Sequence, residues 1–167
     1  MKATVFLDRD GMSEDVHLLT RPDQVLIPPG VPGALKALAA AGFKLVVSNQ
    51  PVVARGLATE QEVRAVHLHL EALLKSAGAP PPDGIYFWPH HPSATLPAYR
   101  VACDCRKPRP GLFLRAAAEL NLDWGASFTV GDRITDIIAG ARPVAGRCWF
   151  KPECMGRNPS SPASHWA

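Results

Sequence analysis

The feature that most narrows what this chain can fold into is an alternation, repeated along its length, of short apolar runs with segments of helical period. Ala3 to Leu7 (ATVFL) is an apolar run that stops at acids, the pattern of a buried strand opening into a functional loop. Residues 31–42 carry apolar side chains at helical spacing and finish on Gly42, placed just past a helix C-terminus. KLVVS follows as a second strand. Thr59 then opens a helix, and Glu62 three residues later completes a capping box. Val63, Val66, Leu70, Leu73 and Leu74 supply its buried stripe, while His67 and His69 read as solvent-facing or packing residues. GIYFW, SFTVG and RCWF add strands, and Gly111 to Leu120 and Thr135 to Ala141 add helices.

Parallel strands need long crossovers, usually helical, so this alternation implies a parallel sheet covered on both faces. The expected fold class is α/β, a single Rossmann-like doubly wound sheet. Neither internal repeats nor a second domain are visible. One domain is expected over residues 1–150, with an irregular, Pro-rich Cys/His loop at 88–106 and a flexible Pro/Ser/Asn tail at 151–167.

A chain of 167 residues is long enough to bury a real core. Its net charge of +3 is dispersed, which suits an anionic substrate and argues against nucleic acid as a partner. The stretch KATVFLDRDG puts two acids where a signal peptide needs an apolar core, and no run approaches the ~20 apolar residues of a membrane span. The expectation is a cytoplasmic monomer with a small-molecule substrate and no membrane or nucleic-acid partner. Four cysteines are few for a disulfide framework. Cys103 and Cys105 beside a His-rich segment suggest metal, whereas Cys148 and Cys154 read as plain structural residues.

The polar groups fall at the carboxyl ends of the strands, where parallel α/β sheets bind ligands. Asp8 and Asp10, one residue apart after a buried strand, repel each other unless a cation or proton separates them. Hard Mg²⁺ accepts carboxylate and carbonyl oxygens and leaves positions for phosphate. Asp8 then suits a nucleophile and Asp10 a general acid/base. Ser48 ends the second strand, where a hydroxyl meets phosphate oxygens. Lys107 offers fixed positive charge against a developing anion. Asp132 is a third carboxylate at a later strand end, and Asp136, one helical turn on, is placed to orient the metal's waters or Lys107.

The series FLDRDG, SNQ, CRKPRPG and VGDRITD resembles the four signature motifs of the haloacid dehalogenase phosphatases. With NQxxxARG, PHHP and CDCRKP, the chain is most similar to the subfamily of heptose bisphosphate phosphatases and histidinol-phosphatases, over roughly residues 3–142. The resemblance implies that fold without a large cap domain, and an aspartyl-phosphate on Asp8 with Asp10 as acid/base. It implies Mg²⁺ held by Asp8, Asp10 and Asp132, with Ser48 and Lys107 holding the phosphoryl group. Arg106 and Arg133 match substrate-contacting positions, and Asp15, Val16, His17, Leu18, Asn49, Gln50 and Pro51 fall where such enzymes hold a sugar phosphate. The favoured reaction is removal of the 7-phosphate of a heptose bisphosphate, a step toward lipopolysaccharide. Histidinol phosphate or another small phosphomonoester is an alternative substrate, and a non-catalytic phosphosugar-binding protein an alternative class. The same resemblance implies a structural zinc loop, for which His90, Cys103 and Cys105 are in place while Trp88 stands at the first cysteine position.

Overall fold

The computed structural model describes residues 1–9, 19–49, 52–131, 133–140 and 146–149, with Asn49 and 146–149 given by backbone only. The expected positions Asp10, Asp15, Val16, His17, Leu18, Gln50, Pro51 and Asp132 lie outside the described residues, as does the tail at 151–167.

Among the described residues nine α-helices and β-strands follow one another in alternation. They are β1 (Thr4–Asp8), α1 (Val31–Ala40), β2 (Lys44–Asn49), α2 (Glu60–Ser76), β3 (Gly84–Phe87), α3 (Gly111–Leu120), β4 (Phe128–Gly131), α4 (Ile134–Gly140) and β5 (Gly146–Trp149). The strands form one sheet in the order β3-β2-β1-β4-β5, and every neighbouring pair is parallel. The α/β expectation holds, including the last strand. No helix among the described residues is long and apolar enough to cross a membrane.

Side chains alternate along each strand, so β1 and β2 feed two separate cores. Val5, Leu7, Leu45 and Val47 face α1 and α2, meeting Leu35, Val66, Leu70 and Leu74. Phe6 and Val46 point the other way, to Phe113, Ala116 and Ala117 of α3 and Ala139 of α4. Phe6 stacks on Phe113 with ring centroids 4.6 Å apart. Each fully buried aliphatic side chain stabilises the fold by about 1.5–3 kcal/mol. Helices therefore cover both faces, as a doubly wound sheet requires.

Local chemistry sets the helix ends. Thr59 Oγ1 accepts from the Glu62 N–H at 3.2 Å, and Glu62 Oε2 accepts from the Thr59 N–H at 2.7 Å, which closes the expected capping box. The backbone hydrogen bond lowers the Glu62 pKa from its ordinary value. The first helix ends at Ala40 with Ala41 as its C-cap, and Gly42 turns the chain at φ 87° just past the C-terminus, as expected.

The strand order reverses around β1: the chain runs out through β2 and β3, then returns to add β4 and β5 on the other side. That reversal opens a crevice at the carboxyl ends of β1 and β4, where such sheets bind ligands.

Candidate active site

Asp8 ends the central strand at this crevice, in register with Ser48 of β2. The hydrophobic strand beneath it fixes the carboxylate's position, and the side chain is 1 % exposed. Lys107 arrives from the loop before α3 and sets its ammonium Nζ 2.6 Å from Asp8 Oδ1. The same Nζ forms an ion pair with Asp136 Oδ1 on α4, also at 2.6 Å. Asp136 is fully buried, and its Oδ2 accepts from the Arg133 N–H at 3.0 Å. Of the two tasks open to Asp136, the contact with Lys107 is the one made among the described residues.

Burial alone pushes the Lys107 ammonium toward lower pKa, yet the carboxylates of Asp8 and Asp136 outweigh it and the net shift is upward. Lysine here is a fixed cation. Burial raises the Asp136 carboxyl, with the pull of Lys107 opposing and the charge of Asp8 adding. Two acids and one base in a dry site leave the trio one positive charge short. Asp8 Oδ2 is buried and has no hydrogen-bond partner among the described residues. An orphaned carboxylate oxygen in an anionic pocket suits a hard, oxygen-loving cation such as Mg²⁺.

Ser48 is buried beside Asp8, and its Oγ lies 3.5 Å from the Leu7 carbonyl, the outer limit of a hydrogen bond. Arg106 is half-buried, and its Nε has no partner among the described residues. It lines a cleft of about 400 Å³ together with His90, Cys103, Lys107, Arg109 and Thr135. Arg133 is half-buried and contributes its backbone to Asp136 from both sides, since the Asp136 N–H also donates to the Arg133 carbonyl at 3.0 Å. Asn49 is placed by backbone in β2.

Zinc finds no support in the loop. Among the described residues, which include all of 88–106, no group of three or more His, Cys, Asp or Glu is placed to hold a metal. His90, Cys103 and Cys105 therefore do not assemble as a ligand set. Indole replaces the missing thiolate: the Trp88 ring meets His90 edge-on at 5.0 Å. Cys103 and Cys105 are half-buried free thiols, and burial, then the neighbouring Cys103, raises the Cys105 pKa.

Three contributors escaped the sequence reading. Arg9, between the two acids, is 2 % exposed and donates its N–H to the Ser48 carbonyl at 2.9 Å. An arginine after a strand reads as surface, so no sequence signal marked its burial. Gly131 ends β4, and a Cβ there would lie 2.5 Å from Asp136 Oδ2, so only glycine leaves room for that carboxylate. A glycine directly before Asp132 was the available clue. Thr135, whose buried Oγ1 has no partner among the described residues, lines the cleft. His67 is buried and packs edge-on against Phe87 at 5.5 Å. Burial, then the charges of Arg9 and Arg64, lowers its pKa to about 4.

Comparison with known proteins places this geometry in company. A model of haloacid dehalogenase-like hydrolases matches residues 2–142. The chain is 41% identical over 137 residues to a D-glycero-beta-D-manno-heptose-1,7-bisphosphate 7-phosphatase of Yersinia pestis, covering 81% of this chain and 72% of that one. It is 39% identical over 140 residues to the enzyme of the same name from Rhodopseudomonas palustris, covering 83% and 77%. A crystal structure of D,D-heptose 1,7-bisphosphate phosphatase from B. bronchiseptica, complexed with magnesium and phosphate, superposes with a TM-score of 0.75 at 29% identity, covering 88% of this chain and 79% of that one.

Proposed function

The chain belongs to the haloacid dehalogenase-like hydrolase family, and we propose that it is a magnesium-dependent phosphatase removing the 7-phosphate of D-glycero-D-manno-heptose 1,7-bisphosphate. The observation that carries this reading is the state of Asp8: Lys107 holds one carboxylate oxygen at 2.6 Å while the other, buried, has no partner among the described residues. A carboxylate held through one oxygen leaves the other open to a cation or to an incoming phosphoryl group.

In this reading Asp8 attacks phosphorus, the bond to the leaving alcohol breaks, and Asp10 gives that alcohol its proton. Water, deprotonated by Asp10, then splits the aspartyl-phosphate and releases phosphate. Lys107, held by Asp136, sets a permanent cation beside the phosphoryl oxygens as their charge develops. Ser48, in register with Asp8, offers its hydroxyl to the same group. Arg106 and Arg133, with Asp15 to Leu18 and Asn49 to Pro51, bind and orient the sugar phosphate. The Asp8 carboxylate, the Asp10 carbonyl and Asp132 would hold Mg²⁺, which when bound neutralises charge on the phosphoryl oxygens.

The names of the relatives support the heptose substrate, since more than two thirds of each is matched at about 40% identity. In this reading residues 1–150 form one catalytic domain, with the family match over residues 2–142 lying inside it. A charged metabolite substrate fits the cytoplasmic setting expected from the sequence.

Asp8→Asn is nearly isosteric but removes the attacking charge, so it should abolish turnover in a phosphate-release assay while far-UV circular dichroism stays unchanged. Retention of most of the wild-type rate would exclude the covalent route. The heptose bisphosphate should surpass histidinol phosphate in kcat/KM by at least about tenfold, roughly the discrimination one well-placed contact supplies; the reverse order would reassign the substrate.

A further inference from the structure

The loop at 88–106 has a resemblance to a zinc loop that its own residues do not honour. A structural zinc site almost always takes four protein ligands. Here an indole occupies one position, and the remaining His90, Cys103 and Cys105 are not gathered to hold a metal. A loop of this length without regular structure still needs something to order it.

The described contacts supply that order without metal. Trp88 meets His90 edge-on at 5.0 Å, and His90 in turn meets Tyr99 at 6.0 Å. Tyr99, in a short 3-10 turn at Pro97–Tyr99, accepts at its carbonyl from the His91 N–H at 2.9 Å. Its hydroxyl reaches Glu60 Oε1 on α2 at 3.3 Å. Tyr99 and Phe87 also pack against a small buried cluster of Val52, Val53, Ala58 and Val63. Arg100 Nε donates to the Ala94 carbonyl at 3.1 Å, and the Thr95 N–H donates to the Ala54 carbonyl at 3.0 Å. The far end is pinned to α3: the Gly111 N–H donates to the Asp104 carbonyl at 2.9 Å, and a Cβ on Gly111 would lie 2.5 Å from that oxygen. Arg106 and Lys107 follow directly, and they share one cleft with His90.

We infer that in this chain an aromatic clamp of Trp88, His90 and Tyr99 holds the loop in place of zinc, and that through the loop it positions Lys107. Offset and edge-on aromatic contacts are stabilising beyond the area they bury, and they need no ion from the medium. The protein is thus independent of zinc while remaining dependent on magnesium. Trp88 and Tyr99 are positioning residues: they act on the reaction only through where Lys107 stands.

The test uses the full chain expressed in zinc-supplemented medium and purified without chelator. Elemental analysis should find well under one zinc per chain, and a zinc-selective chelator should leave Tm unchanged. Cys103→Ser with Cys105→Ser should also leave Tm near wild type, which no zinc site could tolerate. Trp88→Ala and Tyr99→Ala should each lower Tm by about 1–6 °C, and Trp88→Phe should restore most of that loss. With substrate, Trp88→Ala should lower kcat several-fold at nearly constant KM. One zinc per chain that survives dialysis, with a Tm that falls on chelation, overturns the inference; so does a Trp88→Ala protein that melts like wild type. If the alanine variants fail to fold, the zinc content and chelator response of the wild type decide. The kcat arm rests on the phosphatase reading, but the metal and melting arms do not. A zinc-free, clamp-dependent protein that hydrolyses no phosphate ester would sink that reading and leave this inference standing.

Discussion

Lys107 and His90 line one cleft, yet the two sides of it are held by opposite means. On the Lys107 side three ionisable groups, with side chains 6 %, 1 % and 0 % exposed, fix one another at 2.6 Å. On the His90 side the ordering contacts are aromatic rings and backbone hydrogen bonds, and the metal-ligand pattern of the resembled family is interrupted at Trp88. Charge cannot be exchanged for something else where the chemistry needs it, because a buried ion without its partner costs several kcal/mol. A scaffold can be exchanged, because a loop only has to be ordered, and rings order it as well as an ion does. The difference separates what the reaction demands from what the fold merely requires.

The sharpest way to break that contrast is to remove the charge between the two acids. Lys107→Met leaves Asp8 and Asp136 facing each other in a dry site. It should cost about 3–5 kcal/mol in urea unfolding and about 10²–10³ in kcat. Comparable losses from Trp88→Ala would mean that the two sides are not different in kind.

The loop side should answer to acid. His67 packs on Phe87, beneath the loop, and faces the charges of Arg9 and Arg64. Its pKa is near 4 in the fold against an ordinary 6.5, so the unfolded chain binds the extra proton first. Stability from neutral His67 is complete above about pH 6.5 and is lost as pH falls toward 4, by on the order of 1–3 kcal/mol. His67→Leu should flatten that part of the curve in unfolding measured from pH 4 to 7. An unchanged acid limb would show that His67 is not the titrating group.

A smaller and more local effect tests the packing of the charged side. Gly131→Ala puts a methyl 2.5 Å from Asp136 Oδ2, so the carboxylate must move. About 1–3 kcal/mol of destabilisation is expected, with a fall in kcat larger than any change in KM. An alanine variant with wild-type kinetics would show that Asp136 has slack.

Elements governed by nearby residues were legible in the sequence. The capping box at Thr59 and Glu62 depends on three residues of spacing, and the strands depend on period-two burial, so both came through with boundaries shifted by a residue or two. The Asp8–Lys107 contact spans 99 residues, and no spacing rule predicts it. It was reached through family resemblance, with Asp136 glimpsed from its place one turn beyond Asp132. What could not be read were properties set by tertiary packing. Nothing local tells that Arg9 is buried, that Gly131 makes room for a carboxylate, or that three ligand-type residues of a loop are not gathered into one set.

The strand order has a consequence for the chain while it is being made. Strand β1 becomes the middle of the sheet, and one of its two neighbours, β4, is made only after β2, β3 and the helices between them. At ~5–20 residues per second, Asp8 waits roughly 5–20 s before Lys107 even leaves the ribosome. Until then β1 can pair with β2 on one side only, and its other edge stands open. An open, apolar edge of this kind invites pairing with another chain. Over that interval the unpaired edge of β1 is open to wrong pairing, and Asp8 sits on the strand most in need of cover.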